Sequence, residues 1–282
     1  MKPPPSALTS PASSTSFPAG NPLLHGRCTL VGAGPGDPEL LTLKAVRAIQ
    51  AASVLLVDDL VSPGVLALAR PTARVVHVGK RGGCTSTPQA FIERLMLMAV
   101  LEGENVVRLK GGDPMVFGRG GEEVAHLRAA GIAVEVVNGV TAGLACSAAL
   151  GTALTHRAQA HGVLFITGHA HPGRETDWGL IAGTAHAARL TLVIYMGVSR
   201  LADIEAGLLA GLPAHTPAAI VERVSLPEQR VARCTLASLH ASARSEALAS
   251  PCIIVVGDVL RGVAAATGHQ APALHSSFAA QG

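Results

Sequence analysis

"CTLVGAGPGDPELLTLKAVRAIQAA", residues 28–52, decides the fold class. An apolar run passes straight into Gly32, Gly34 and Gly36, and a helix-forming stretch follows. Asp37 is a good N-cap and Pro38 suits a first helical turn. Leu40, Leu43, Val46 and Ile49 recur at helical spacing, which predicts a helix over 37–52. "SVLLV" (53–57) reads as the next strand and ends at Asp58-Asp59. Strand, glycine turn, helix, strand is the signature of an α/β protein, whose ligands sit at the carboxyl ends of strands.

The alternation continues. "RVVHVG" (74–79), "NVVRLK" (105–110) and "IAVEVV" (132–137) read as strands. "TPQAFIERLMLMAVLEG" (87–103), with a Thr cap, a Pro start and a Gly stop, and "GEEVAHLRAAG" (121–131) read as helices. "NGVTAGLACSAALGTALTH", from Asn138, is a small-residue stretch able to pack very closely. Then "GVLFITGH", "LTLVIYMG", "PAAIVERV" and "PCIIVVGDV" read as strands and "RLADIEAGLLAGL" as a helix. Pro227 marks a turn, after which "RVARCTL" returns as an antiparallel partner. Apolar strands flanked by helices imply sheets covered on both faces. The expected organisation is a Pro/Ser-rich disordered tail over 1–26, an α/β domain over 27–137, a second over 138–262 and a loose tail over 263–282.

Composition narrows the function. The chain has 282 residues, 49% of them hydrophobic, enough for one large domain or two ordinary ones. Aromatics are 2% and net charge is +3, a poor match to a reader of nucleic-acid bases and a fair one to an anionic small molecule. Five cysteines, widely spaced and without C-x-x-C, read as reduced thiols in a cytoplasmic protein, neither disulfides nor a zinc site. Of the twelve histidines only His169 and His171 are close-spaced, so no metal is expected. No apolar run has the length of a membrane span, and the N-terminus has no signal-peptide core. The chain ends soon after the second domain, so no dehydrogenase or ferrochelatase extension is expected.

Familiar phosphate motifs fit poorly. "GAGPGD" (32–37) has Asp37 where a dinucleotide fingerprint wants glycine, and an acid there repels a pyrophosphate. "GHAHPGR" (168–174) lacks the Lys-Ser/Thr ending of a P-loop. "VRLKGGDPMVFGRGGEE" (107–123) is more informative, with five glycines among three cations and three acids. Gly111 and Gly112 leave no side chain between backbone and ligand, and Asp113 can accept from an amine or ribose hydroxyls. The same residues also suit an Asp-Pro helix start whose glycines only turn the chain, and spacing leaves both readings open.

Together, "LVGAGPGDPELLTLKAVRAIQAASVLLVDDLVSPGVL", "VGKRGG", "VVRLKGGDPMVFGRGGEE", "ALTHR", "FITGH" and "LVIYMG", in this order, carry a resemblance. From about Cys28 to Leu260 the chain resembles the S-adenosylmethionine-dependent uroporphyrinogen-III C-methyltransferases of the tetrapyrrole methylase superfamily. The resemblance implies two α/β domains with a cofactor cleft between them, in a homodimer. S-adenosylmethionine, leaving as S-adenosylhomocysteine, would lie in that cleft. By motif, Pro35, Gly111, Gly112, Asp113, Val116, Thr141, Ala142, Met196 and Val224 would line its pocket. Asp58 matches the family's proton acceptor and Lys80 its donor. Without the resemblance, Asp58 reads as a strand-end acid capping a turn, and Asp59 as its solvated neighbour.

The implied activity is two successive methyl transfers to uroporphyrinogen III, giving precorrin-2 for sirohaem or cobalamin synthesis. The polyacid substrate would be met by cations, for which Lys80, Arg81, Lys110, Arg119, His156 and Arg157 are candidates. Arg108 equally fits an internal pair with Glu122 or Glu123. The chain departs from the family's pattern at Val57, Asp59, Asn138, Ala153, Ala158-Gln159 and Val224-Ser225, mostly on the substrate side. Competing readings are methylation of another corrin intermediate, an NAD oxidoreductase, a nucleic-acid methyltransferase and a non-catalytic tetrapyrrole binder.

Overall fold

The computed structural model describes residues 26–79, 87–169 and 173–262. The expected tails over 1–26 and 263–282, apart from Gly26, lie outside the described residues, as do Lys80, Arg81, Cys84 and His171. Two five-stranded sheets share no strand.

The first sheet holds β1 (Arg27–Gly32), β2 (Val54–Val57), β3 (Arg74–His77), β4 (Asn105–Lys110) and β5 (Val134–Val137), in the order β3-β2-β4-β1-β5. Every pairing in it is parallel, so the strands' carboxyl ends share one edge. Successive residues of a strand face opposite sides. Val31, Leu55, Val57, Val107 and Leu109 accordingly pack under one layer, while Leu30, Val54, Leu56 and Val106 pack under the other. The first layer is α1 (Leu43–Ala51), which contributes Ala45 and Ile49. The second is α3 (Gln89–Leu101) with α4 (Gly120–Ala129), contributing Ile92, Met96, Val124 and Leu127. Between them in sequence, α2 (Pro63–Leu66) is a single turn. Full burial of such aliphatic side chains stabilises the fold by roughly 1.5–3 kcal/mol each.

The opening helix is shorter than its sequence pattern predicts. Asp37 caps only a 3-10 turn over Pro38–Leu40, and Thr42 starts α1 afresh by accepting from the Ala45 amide at 3.1 Å. Two capping side chains in series compete with a continuous helix. The restart also moves the buried face to Ala45 and Ile49, leaving Leu43 76% exposed. The expected Thr cap on α3 is likewise absent, because Pro88 occupies the cap position without a side-chain bond.

The second sheet contains β6 (Gly162–Thr167), β7 (Leu190–Tyr195), β8 (Pro217–Glu222), β9 (Arg230–Thr235) and β10 (Cys252–Val256), ordered β6-β7-β10-β8-β9. Only β6 and β7 pair in parallel, and β9 returns antiparallel on β8 as the turn at Pro227 predicts. One face is covered by α6 (Trp178–Ala188), α7 (Leu201–Leu209) and α8 (Leu239–Ser245). The other is covered by α5 (Ala142–Leu150), through Cys146 and Leu150. Close packing of this small-residue helix is real: a Cβ on Gly143 would stand 2.1 Å from the Tyr195 hydroxyl.

Candidate functional site

Three glycine-bearing segments meet at the carboxyl edge of the first sheet. β1 runs into Ala33–Gly36, β4 into Gly111–Asp113 and β5 into Asn138–Thr141. Gly34 and Gly112 exchange backbone hydrogen bonds, the Gly112 amide donating at 2.7 Å and the Gly34 amide at 3.2 Å. Both have φ near +70° (69° and 67°), which glycine adopts without strain. A Cβ on Gly139 would lie 2.2 Å from the Gly112 carbonyl, and one on Gly32 would lie 2.5 Å from the Gly139 amide. The three backbones therefore touch. On its other side Gly112 is open, nothing standing closer than 3.7 Å to the place of its Cβ.

Asp113 is buried and holds this junction together. Its Oδ1 accepts from the Met115 amide at 2.8 Å, and its Oδ2 from the Asn138 side chain at 3.0 Å and the Gly139 amide at 3.1 Å. The carboxylate that the sequence offers to a ligand's amine or hydroxyls is engaged by three donors of the protein itself. Asn138, where the chain departs from the family's pattern, supplies one of these donors from its side chain.

The second sheet closes the site. Thr141, at the N-cap of α5, bonds the Tyr195 hydroxyl at 2.8 Å, and the Gly143 amide donates to the same oxygen at 2.9 Å. Burial pushes the Tyr195 phenol above its ordinary pKa, against the opposing effect of these bonds. Phe117 lies against the Tyr195 ring, with centroids 4.8 Å apart. Val116, Ala142 and Val224 pack against the cluster that contains Tyr195. Met196 follows directly, 49% exposed, with φ 54°. Arg223 and Ser225, on either side of Val224, also have positive φ, as do Phe117 and Arg119. Left-handed non-glycine residues store strain and gather at functional sites. The tip of the β8–β9 hairpin reaches back to the first glycine loop: Ser225 Oγ accepts from the Asp37 amide at 3.0 Å, and Leu226 covers Gly36 beside Pro35.

Of the residues the sequence singles out, Pro35, Gly111, Gly112, Asp113, Val116, Thr141, Ala142, Met196 and Val224 thus occupy one neighbourhood spanning both sheets. Bare polar backbone lines its first-sheet side. Met115, Phe117 and Met196, in the segments that follow Asp113 and Tyr195, leave large apolar surface exposed. That pairing suits a ligand with polar ends and a soft, weakly hydrated middle.

Asp58 follows β2, next to the Gly111 loop, and its amide donates to the Leu109 carbonyl at 3.1 Å. Its Oδ1 pairs with Arg108 and its Oδ2 with Lys110 at 3.5 Å. Both cations also bind Glu123 Oε1, Arg108 at 3.0 Å and Lys110 at 3.1 Å. Arg108 thus takes the internal-pair alternative. Lys110 does not face a polyacid as expected, because it is 3% exposed and inside this network. Arg119 is occupied by exposed Glu122. His156 and Arg157 are exposed.

Sequence reading passes over Tyr195, offers Glu123 only as an alternative to Glu122 for pairing with Arg108, and notes Ser225 only as a departure from the family's pattern. Tyr195 stands beside Met196 in "YMG", where an aromatic hydroxyl in an aromatic-poor chain is a usable signal. Nothing local marks Glu123 off from Glu122. Among the described residues no group of three or more His, Cys, Asp or Glu is arranged to hold a metal ion.

A two-domain α/β fold whose glycine junction is tied to the second sheet through Thr141 and Tyr195 defines the class. The chain belongs to the tetrapyrrole methylases: the family model described as "Tetrapyrrole (Corrin/Porphyrin) Methylases" matches residues 27–240. It is 53% identical over 241 residues to the uroporphyrinogen-III C-methyltransferase of Pseudomonas aeruginosa, covering 85% of this chain and 96% of that one. It is 47% identical to the siroheme synthase of Gluconobacter oxydans but spans 50% of that longer protein. Among solved structures, the uroporphyrin-III C-methyltransferase of Thermus thermophilus complexed with S-adenosylhomocysteine matches at 44% identity and TM-score 0.70. The match covers 84% of this chain and all (100%) of that one. A cobalt precorrin-4 methyltransferase matches at 28% identity and TM-score 0.73, over 83% of this chain and 95% of that one.

Proposed function

We propose that this chain transfers methyl groups from S-adenosylmethionine to two carbons of uroporphyrinogen III in succession, giving precorrin-2. The observation that carries this reading is the near full-length 53% identity to a protein of that activity, over a chain whose glycine junction is intact. The sulfonium methyl is already electrophilic, so the site must align a carbon nucleophile with it and exclude water. Gly111 and Gly112 give the cofactor backbone to lie against. Pro35, Val116, Ala142, Met196 and Val224 line its apolar flank, with Thr141 fixing the wall through Tyr195. Asp113 acts on the cofactor through the loop it holds.

Asp58, 28% exposed at the same strand edge, is suited to take the proton that the reduced ring releases as its carbon attacks. Lys80 is assigned the donor's part from the motif alone. We assign residues 27–137 and 138–262 to the two domains, the crossing falling after β5 at Val137. The four described cysteines are free, as a cytoplasmic protein's would be, and a homodimer follows from the family resemblance. No described helix is long and apolar enough to cross a membrane.

The test is incubation with methyl-labelled S-adenosylmethionine and freshly reduced uroporphyrinogen III. Two labelled methyls per macrocycle are expected; unlabelled tetrapyrrole alongside NADH turnover would overturn the reading. Asp58→Asn should slow transfer by about 10²-fold or more while cofactor affinity measured by calorimetry is unchanged. Loss of cofactor binding in a folded variant would remove Asp58 from the base role.

A further inference from the structure

Strand β4 places Arg108 and Lys110 two residues apart on one face of a parallel sheet, a position that normally takes aliphatic side chains. Charges are costly there unless each is matched. Here four charges close on one another: Arg108 and Lys110 each contact both Asp58 and Glu123. Glu123 sits in the first turn of α4 with its side chain wholly buried, and Gln89 of α3 donates to it at 3.1 Å. Arg108 is further pinned by the carbonyls of Leu56 at 3.2 Å and Leu109 at 3.4 Å. Side-chain exposures are 2% for Arg108, 4% for Lys110, 0% for Glu123 and 28% for Asp58. The network therefore has a closed end in the core and a single opening, at Asp58.

We propose that Lys110, Arg108 and Glu123 are positioning residues for the methyl transfer, a buried two-cation clamp that aims the Asp58 carboxylate into the site. The inference rests on the reading of Asp58 under Proposed function. Arg108 and Lys110 take one carboxylate oxygen each, which fixes the rotation of the group as well as its place. Glu123 counterbalances the clamp from behind and holds the two cations at a common distance. None of the three reaches the ligand surface, so each acts only through Asp58. The two negative charges offset the two positive ones, which lets a charged device persist in a core that elsewhere is aliphatic.

The test compares Lys110→Gln and Lys110→Arg with wild type and with Asp58→Asn, using full-length protein. Measured are kcat and KM for uroporphyrinogen III, calorimetric Kd for S-adenosylhomocysteine, and the unfolding midpoint. Lys110→Gln keeps a donor toward Glu123 but loses the charge facing Asp58. Its kcat should fall about tenfold or more, corresponding to ~1.4 kcal/mol or more of barrier, with cofactor Kd within about twofold of wild type. Lys110→Arg should restore most of that loss. A folded Lys110→Gln with wild-type kcat overturns the inference, and so does a parallel loss of kcat and cofactor affinity that arginine does not rescue. If Lys110→Gln cannot be isolated folded, the comparison of Lys110→Arg with wild type decides, a kcat loss as deep as that of Asp58→Asn counting against the clamp. Inactivity of the wild type toward uroporphyrinogen III would instead sink the proposed function.

Discussion

Cys28 shows how far a single residue's surroundings depart from what its letter suggests. Burial pushes its thiol pKa up to about 12 from 9.0, with Glu123 adding to the rise and Arg108 opposing it. Burial acts likewise on Cys146 and Cys252, each also raised to about 12. In the unfolded chain these thiols lose their protons near 9.0. Between that value and about 12 the unfolded state holds fewer protons than the folded one, so stability falls as pH rises. This contribution is fully present below the unfolded value. The urea midpoint should therefore drop as pH rises from about 9 toward about 12, and Cys28→Val should flatten part of that drop. An unchanged slope in Cys28→Val would show that other groups govern alkaline unfolding. That the four described cysteines are free was readable in the sequence; that Cys28 lies beside an ion network was not, because Glu123 is 95 positions away.

At the scale of elements, one hydroxyl fastens a helix to a strand. Tyr195, at the end of β7, bonds both Thr141 and the Gly143 amide at the start of α5. Gly143 has no room for a side chain beside that hydroxyl. Tyr195→Phe leaves a buried helix-end amide unpaired, which costs about 1–3 kcal/mol. Denaturant unfolding should register that loss, and cofactor affinity should weaken because α5 carries Thr141 and Ala142. Full stability in the phenylalanine variant would mean water takes the amide instead. The elements themselves were largely legible. Alternating apolar runs and Gly/Pro punctuation located every strand of both sheets, including the antiparallel return of β9. The first helix is shorter than its pattern because Asp37 and Thr42 both cap, and a pattern of leucines cannot say which cap wins. Leu43, in phase with the apolar stripe, ends up 76% exposed for that reason.

For the molecule as a whole, the decisive feature is the point where three backbones and two sheets converge. Gly139→Ala would drive a Cβ to 2.2 Å from the Gly112 carbonyl and 2.8 Å from the Gly32 Cα. Backbone atoms on both sides cannot swing away as a flexible side chain can. The expected outcome is loss of S-adenosylhomocysteine binding by calorimetry with far-UV dichroism retained, since each sheet keeps its own core. Retained binding would show that the junction tolerates opening. The sequence by itself determined the α/β class, the order of the strands, the family and which glycine loops to compare, while α6 and α8 were not legible in it. Those properties are written in local periodicity, in turn chemistry and in motifs whose glycines are needed where they stand. Only the tertiary structure decided where the charges go. It bonded Asp113 to Met115, Asn138 and Gly139, took Lys110 and Arg108 into a buried square with Asp58 and Glu123, and brought Ser225 onto Asp37. The reason is physical: a charged or polar group is assigned by the partner it meets across space, and all of those partners except Met115 lie between 13 and 188 residues away in the chain.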